Sequence, residues 1–205
     1  MHQTFRLRAG SWLAKLHSIS TKGARNFNKD NSRIKTVRPG MRHIFEKVKL
    51  HYPEYHDNFK KAYLAVNKKE SEFLAKNKKR WLVHGDAHPE NIIKTEKNKL
   101  AFIDVSDFCL SDFARDLGTF LQQIEFKIMR HIDDKKYTDK IKKIFLDSYL
   151  KNAKIKIDDN LAARINNYYN WTALRTAAFF FLKHDPAPNR GAELLEKVCR
   201  NLKIC

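Results

Sequence analysis

Residues 81–108 read WLVHGDAHPENIIKTEKNKLAFIDVSDF, and their pattern decides how the chain is organised. Three short apolar runs alternate with polar segments. Trp81-Leu82-Val83 is the first run, and a polar loop holding Gly85 and Pro89 follows at 84–91. Ile92-Ile93 opens the second run, and residues 94–98 have the composition of a turn. The third run covers 100–103 and ends on Asp104. Short apolar runs bounded by turn residues predict small strands. The polar residues then sit where strands stop, which is where scaffolds present chemistry. The candidate polar groups between 84 and 104 are His84, Asp86, His88, Asn91 and Asp104.

Outside this stretch the periodicity is helical. Ala9, Leu13 and Leu16, with Phe5 and Trp12, predict a helix over 3–18. Residues 19–37 are polar, basic and without period, so they are expected as a loop. Met41, Ile44, Phe45 and Val48 predict a short helix closed by Pro53. Tyr55 to Val66 predict another, reaching towards Leu74. After a loop over 105–111, Phe113, Leu117, Phe120, Leu121, Ile124 and Ile128 predict a helix from 112 to about 129, with Ser111 or Asp112 as its cap. Three further helices are expected: around 141–149 after Thr138, over 161–183 until Pro186 and Pro188 break it, and over 194–202. The expected fold class is mainly α with a small β-hairpin insert. The aromatic groups at 168–171 and 179–181 fall at core spacing, with Trp171 also suited to line an acceptor pocket. Residues 78–80 and lysines 142 and 143 are expected in solvent.

Length and charge narrow the function. A chain of 205 residues suits one domain, and its 42% apolar fraction is ordinary for a globular protein. The net charge of +18 is uneven: residues 1–83 carry 20 Lys/Arg and 6 Asp/Glu, against 21 and 17 for the remainder. Such a basic half can meet an anionic partner. No basic motif interleaved with aromatics accompanies it, so nucleic acid is not expected as a partner. Cys109, Cys199 and Cys205 have no C-x-x-C spacing, which speaks for a reducing compartment. The longest apolar run, 177–182, is too short to cross a bilayer, and charged residues interrupt the first 20 positions. A soluble, cytoplasmic protein with no membrane contact is expected.

The spacing of the central stretch suits phosphoryl transfer. That reaction needs a carboxylate to orient the attacking hydroxyl and accept its proton, plus oxygen ligands to hold Mg²⁺ on the phosphates. Asp86 suits the first task, and Asn91 and Asp104 the second, because a hairpin turning at 94–98 returns Asp104 beside the 84–91 loop. A competing reading takes H-x-D-x-H at 84–88 as alternate metal ligands on a strand, against which Gly85 and Pro89 argue for a loop.

HGDAHPEN at 84–91 resembles the catalytic loop of the aminoglycoside phosphotransferase and choline kinase superfamily, which shares the Asp-to-Asn spacing of protein kinases. FID at 102–104 resembles its metal-binding strand end, and SDFARDLG at 111–118 the segment that follows. AGSWLAKLHSI at 9–19 resembles a family helix ending in Leu-His. The resemblance runs through the whole chain, but its specific motifs lie within 84–118. It implies the C-terminal, helical lobe of a protein kinase-like fold over 1–205, with a catalytic loop at 84–91 and a metal-binding segment at 102–107. It also implies an ATP- (or GTP-) and Mg²⁺-dependent kinase for a small hydroxyl-bearing substrate. Asp86 would be the base, with His84 bracing the loop and His88 lining the site. Asn91 and Asp104 would hold Mg-nucleotide, and Asp112 and Asp116 would be structural. His17 is expected as a helix-end residue and Asp107 as a solvated loop carboxylate.

Two departures are mild: Ser111 stands where the family has Gly, and Phe113 where it has Pro. A third is larger. Such kinases clamp the nucleotide with an N-terminal lobe bearing a phosphate-covering loop, and the six glycines here form no Gly-rich loop. A fragment or truncated member is therefore expected, its missing lobe supplied by another chain. The alternative is an inactive, kinase-like remnant serving as a binding module.

Overall fold

In the computed structural model, residues 3–25, 27–95 and 99–204 are described, with side chains from residue 8 onward. The Phe5 side chain, turn residues 96–98 and Cys205 lie outside that set. Seven helices are present among the described residues: α1 (Gln3–Ser18), α2 (Met41–His51), α3 (Pro53–Lys76), α4 (Ala114–His131), α5 (Lys135–Ala153), α6 (Asp159–Leu182) and α7 (Pro188–Leu202). Between α3 and α4 lie four three-residue strands, β1 (Trp81–Val83), β2 (Ile92–Lys94), β3 (Leu100–Phe102) and β4 (Cys109–Ser111).

The helices bury one apolar face each, as their periodicity requires. Ala9, Leu13, Ala14 and Leu16 turn inward from α1, Phe59, Ala62 and Val66 from α3, and Leu117, Phe120, Leu121 and Ile124 from α4. Helix α6 is buried along most of its length through Tyr168, Trp171, Leu174 and Phe181. It packs across α4 at Gly118, where a Cβ would lie 2.6 Å from both the Ile165 carbonyl and the Tyr169 nitrogen. Only a residue without a side chain lets the two backbones meet there. Phe120 stacks on Phe145 at 4.2 Å and joins α4 to α5.

The strands form two antiparallel pairs that together frame one loop system. β2 pairs with β3 in the register Ile92↔Phe102, Ile93↔Ala101, Lys94↔Leu100, which is the expected hairpin. Trp12 of α1 stacks on Phe102 at 4.1 Å and holds the hairpin against the helical body. β1 pairs with β4 in the register Trp81↔Ser111, Leu82↔Leu110, Val83↔Cys109. That pairing corrects the expected loop over 105–111, whose last three residues carry no alternation long enough to read as a strand.

Other expectations shift for local reasons. Pro53 stands at the first position of α3 rather than merely ending α2, and Pro188 likewise starts α7. Proline costs nothing at that position, where its missing N–H would have no partner in any case. Helix α5 begins before Thr138, because the Asp134 carboxylate accepts the Tyr137 N–H at 2.9 Å and caps it. Ser111 does not cap α4; its hydroxyl donates to the Ser32 carbonyl at 2.8 Å. Asp112 instead accepts the Ala114 N–H at 3.1 Å and pairs with Arg164 at 2.6 Å. Lys142 is not solvated but donates to Glu125, which Lys197 also reaches. Burial raises the Glu125 carboxyl, yet these two ammonium groups outweigh it and bring it down to about 2. Trp171 is buried against Tyr63 and presents no open pocket wall. No helix of the described residues is long and apolar enough to cross a membrane.

Candidate active site

The catalytic-loop stretch begins where β1 ends. The His84 N–H donates to Asp116 Oδ2 at 2.7 Å and the Gly85 N–H to Asp116 Oδ1 at 2.9 Å. Asp116 Oδ2 is also 3.0 Å from His17 Nε2, and His17 Nδ1 meets the Tyr149 hydroxyl at 2.9 Å. One buried carboxylate thus fastens the start of the loop to α1 and, through His17, to α5. Burial pushes the Asp116 carboxyl up, but the His17 hydrogen bond and charge, with the His84 N–H, outweigh it and hold the group below its usual range. A carboxylate accepting several N–H bonds behaves this way. Gly85 adopts a φ of +83°, and a Cβ there would sit 2.3 Å from the Asp107 carbonyl. Glycine is needed twice over, for the backbone angle and for the close approach.

The His84 ring is fully buried between Phe102 and Phe108. Its Nε2 donates to the Ile103 carbonyl at 3.1 Å, while Nδ1 has no partner. The ring faces the interior and ties the loop to the strand end at Ile103. The H-x-D-x-H strand reading fails on the same ground. These residues form a loop running into a 3-10 turn at Pro89–Asn91, and among the described residues no three His, Cys, Asp or Glu side chains cluster to hold a metal.

Asp86 is half-exposed. Its Oδ2 lies 3.3 Å from His88 Nε2 and accepts Asn91 Nδ2 at 3.3 Å, while its backbone carbonyl accepts the same Nδ2 at 3.0 Å. The Glu90 N–H donates to His88 Nδ1 at 3.3 Å, which leaves His88 Nε2 as the nitrogen that donates to Asp86. Burial raises the Asp86 carboxyl, but the His88 hydrogen bond and charge, then His84 and Asn91, outweigh it and leave it below the usual carboxylate range. Asp86 is therefore ionised at neutral pH, open to solvent, and oriented from two sides.

Asn91 and Asp104 come together through the hairpin. The Ile103 N–H donates to the Asn91 carbonyl at 2.9 Å, one step beyond the β2–β3 ladder, so Asp104 emerges beside Asn91. Asp104 has a φ of 56° and ψ of 66°. A non-glycine residue held there stores strain, a feature that clusters at functional sites. Its Oδ1 accepts the Ser106 hydroxyl at 2.7 Å, and the side chain is exposed. The Asn91 amide nitrogen is committed to Asp86, which leaves its oxygen free for other work. An amide oxygen and a carboxylate are the hard donors that Mg²⁺ prefers, and two protein oxygens suit an ion that keeps waters and phosphate oxygens in its remaining positions. The residues fit such an ion.

Several neighbours of the site carry no signal in the sequence. Asn31 Nδ2 donates to Asp107 Oδ1 at 2.5 Å, and Asn28 Nδ2 to the Ser106 carbonyl at 3.0 Å. Arg115 and the Cys109 thiol both donate to the Asn31 carbonyl. The unpatterned loop before α2 is thus sewn onto residues 106–109. Asp107 is a correction: it is half-buried rather than solvated, and burial together with the Asp86 charge pushes its carboxyl up. His17 is a buried junction as well as a helix-end residue.

Residues 5–146 match the family model described as "Phosphotransferase enzyme family". The chain belongs to that family. Solved structures agree in fold. An ethanolamine kinase from Plasmodium vivax superposes with a TM-score of 0.59 at 17% identity, over 97% of this chain and 59% of its own. A glucosamine kinase gives 0.61 at 14%, over 97% and 52%. An amicoumacin kinase solved with AMP-PNP, Ca²⁺ and its ligand gives 0.60 at 14%, over 98% and 59%. Among curated proteins none matches significantly. The phosphotransferase-family chain spans between half and three fifths of the length of these kinases. Its fold is the mainly helical lobe of a kinase-like protein, as the motifs implied.

Proposed function

We propose that residues 1–205 form the lobe carrying the catalytic base and metal ligands of an ATP- (or GTP-) dependent kinase that phosphorylates a hydroxyl of a small molecule. The observation carrying this reading is the arrangement of accessible Asp86 and Asp104 around buried Asn91, with Asp86 ionised and oriented. Asp86 aligns the acceptor hydroxyl and takes its proton. His88 holds Asp86 through Nε2, and buried His84 keeps the loop in place. Asn91 Oδ1 and the Asp104 carboxylate are the ligands for Mg²⁺, which when bound neutralises phosphate charge. Ile93, Ile103 and Val105 leave an exposed apolar surface around Asp104. A nucleotide-clamping lobe, from another chain or another segment of the polypeptide, covers that surface in the active form. The names of the related kinases favour a small hydroxyl-bearing acceptor, and the buried Cys109 thiol, outside any disulfide, favours a cytoplasmic setting.

The test is phosphate transfer from labelled ATP to a panel of amino alcohols and amino sugars, with the clamping lobe present. Asp86→Ala is expected to lower turnover by about 10²–10⁴ through lost base catalysis. Unchanged turnover refutes the assignment. The second reading is a catalytically inactive, kinase-like binding module. Calorimetric binding of Mg-ATP without transfer to any acceptor, even with a clamping lobe supplied, selects it.

A further inference from the structure

The basic half of the chain is not absorbed by the catalytic loop, and a large cavity lies mostly within it. This cavity, about 880 Å³, opens between residues 18–24 and the approach to β1 at 78–81. Among the described residues, Lys22, Arg33, Lys78, Lys79 and Arg80 contribute five cations to its wall, and no Asp or Glu lines it. Only Arg33 approaches a carboxylate among the described residues, Glu70 at 3.9 Å. The remaining charge is uncompensated. Concave surfaces lined by one sign of charge focus potential and concentrate the opposite ion.

The walls are built rather than merely crowded with lysines. Thr21 Oγ1 donates to the Arg80 carbonyl at 2.8 Å and ties one wall to the other. The Arg80 guanidinium is fixed by the carbonyls of Leu74, Asn77 and Lys79. Lys79 Nζ sits 5.0 Å from the Trp81 ring centroid, beside a half-buried aromatic surface. The Ser20 hydroxyl adds a neutral donor, while those of Ser18 and Ser32 already donate to the Lys15 and Lys29 carbonyls.

The cavity is separate from the catalytic edge. It opens at the Trp81 end of β1, whereas the loop of Asp86 leaves from the Val83 end, roughly 7 Å further along an extended strand. None of Asp86, His88, Asn91 or Asp104 lines it. Its inner wall includes His17, which bonds Asp116, the residue that anchors His84 and Gly85. An occupant therefore lies one residue away from the network that holds the catalytic loop.

We propose that this cavity binds a small, phosphate-bearing anion at a site distinct from the nucleotide site. Its volume falls in the range of small-ligand pockets. A nucleic-acid track is less well matched, because the cations surround a hollow and are not interleaved with a row of stacking aromatics. The inference stands on the cavity and does not depend on the kinase reading.

Calorimetry of the whole chain with inorganic tripolyphosphate in EDTA tests it, since removing divalent ions silences the Asn91–Asp104 edge. Binding is expected, weakened on the order of tenfold or more in Lys22→Glu/Lys78→Glu and retained in Lys22→Arg/Lys78→Arg. Lys22 and Lys78 are exposed, so neither pair of changes threatens the fold. Asp104→Asn is expected to bind as the parent does. Absence of binding, equal binding by the Glu variant, or loss of binding in Asp104→Asn overturns the proposal. So does a single-stranded oligonucleotide that binds more tightly than tripolyphosphate with a steep salt dependence, which assigns the surface to nucleic acid.

Discussion

Asp116→Asn is the sharpest test of how the catalytic loop is held. The wild-type carboxylate is fully buried and receives three donors: the His84 N–H at 2.7 Å, the Gly85 N–H at 2.9 Å and His17 Nε2 at 3.0 Å. Asparagine retains one oxygen and replaces the other with an amide nitrogen that itself donates. One or two of the three donors then face no acceptor, and the new N–H groups find none. Each buried donor left unpaired costs about 1–3 kcal/mol, so the loss is expected at about 2–5 kcal/mol. For a domain of ordinary stability, about 5–15 kcal/mol, that is a large share.

Urea unfolding followed by circular dichroism measures it, and at a slope of about 2 kcal/mol/M the midpoint falls by about 1–2.5 M. The pH dependence adds a second reading. Asp116 has a folded-state pKa below its ordinary value of 3.8. Its contribution is therefore complete above that value and is lost as pH falls through the lower, folded one. The gap between wild type and Asp116→Asn should be full at pH 7 and shrink below about pH 4. A variant within about 0.5 kcal/mol of wild type at pH 7, the range of an ordinary surface change, would refute the anchoring role. A gap that stays constant into acid would refute the ionised state.

Gly85→Ala combines an unfavourable φ with a Cβ driven into the Asp107 carbonyl. It is expected to destabilise by about 2–4 kcal/mol and, by moving the loop, to lower any phosphotransfer more than it alters nucleotide binding. A neutral outcome in both urea unfolding and turnover contradicts the close packing of these two loops. Gly118→Ala should cost about 1–3 kcal/mol or more by forcing α4 from α6, with no selective effect on turnover at matched folded fraction. A stability equal to that of wild type would mean the helices do not cross at that residue.

Much of this molecule was legible before its three-dimensional structure. The helices follow from apolar spacing, and the β2–β3 hairpin from two short apolar runs around a turn. The chemistry of the site follows from the types and spacing of Asp86, Asn91 and Asp104. These are local signals, because a period of 3.6 or a turn between two strands is expressed within a few residues.

What holds the site together is not local. Asp116 meets His17 across 99 positions, His17 meets Tyr149 across 132, and Asn31 meets Asp107 across 76. β4 becomes a strand only because β1 lies beside it, and Asp107 is half-buried only because the loop before α2 folds over it. Polar partners at such separations leave no periodic trace, since each hydrogen bond depends on where two unrelated elements finally pack. The sequence alone singled out Asp86, Asn91 and Asp104 as the residues proposed for phosphoryl chemistry. Tertiary structure alone decided that the loop bearing them is anchored by one buried carboxylate, because only packing brings that carboxylate and its three donors into reach.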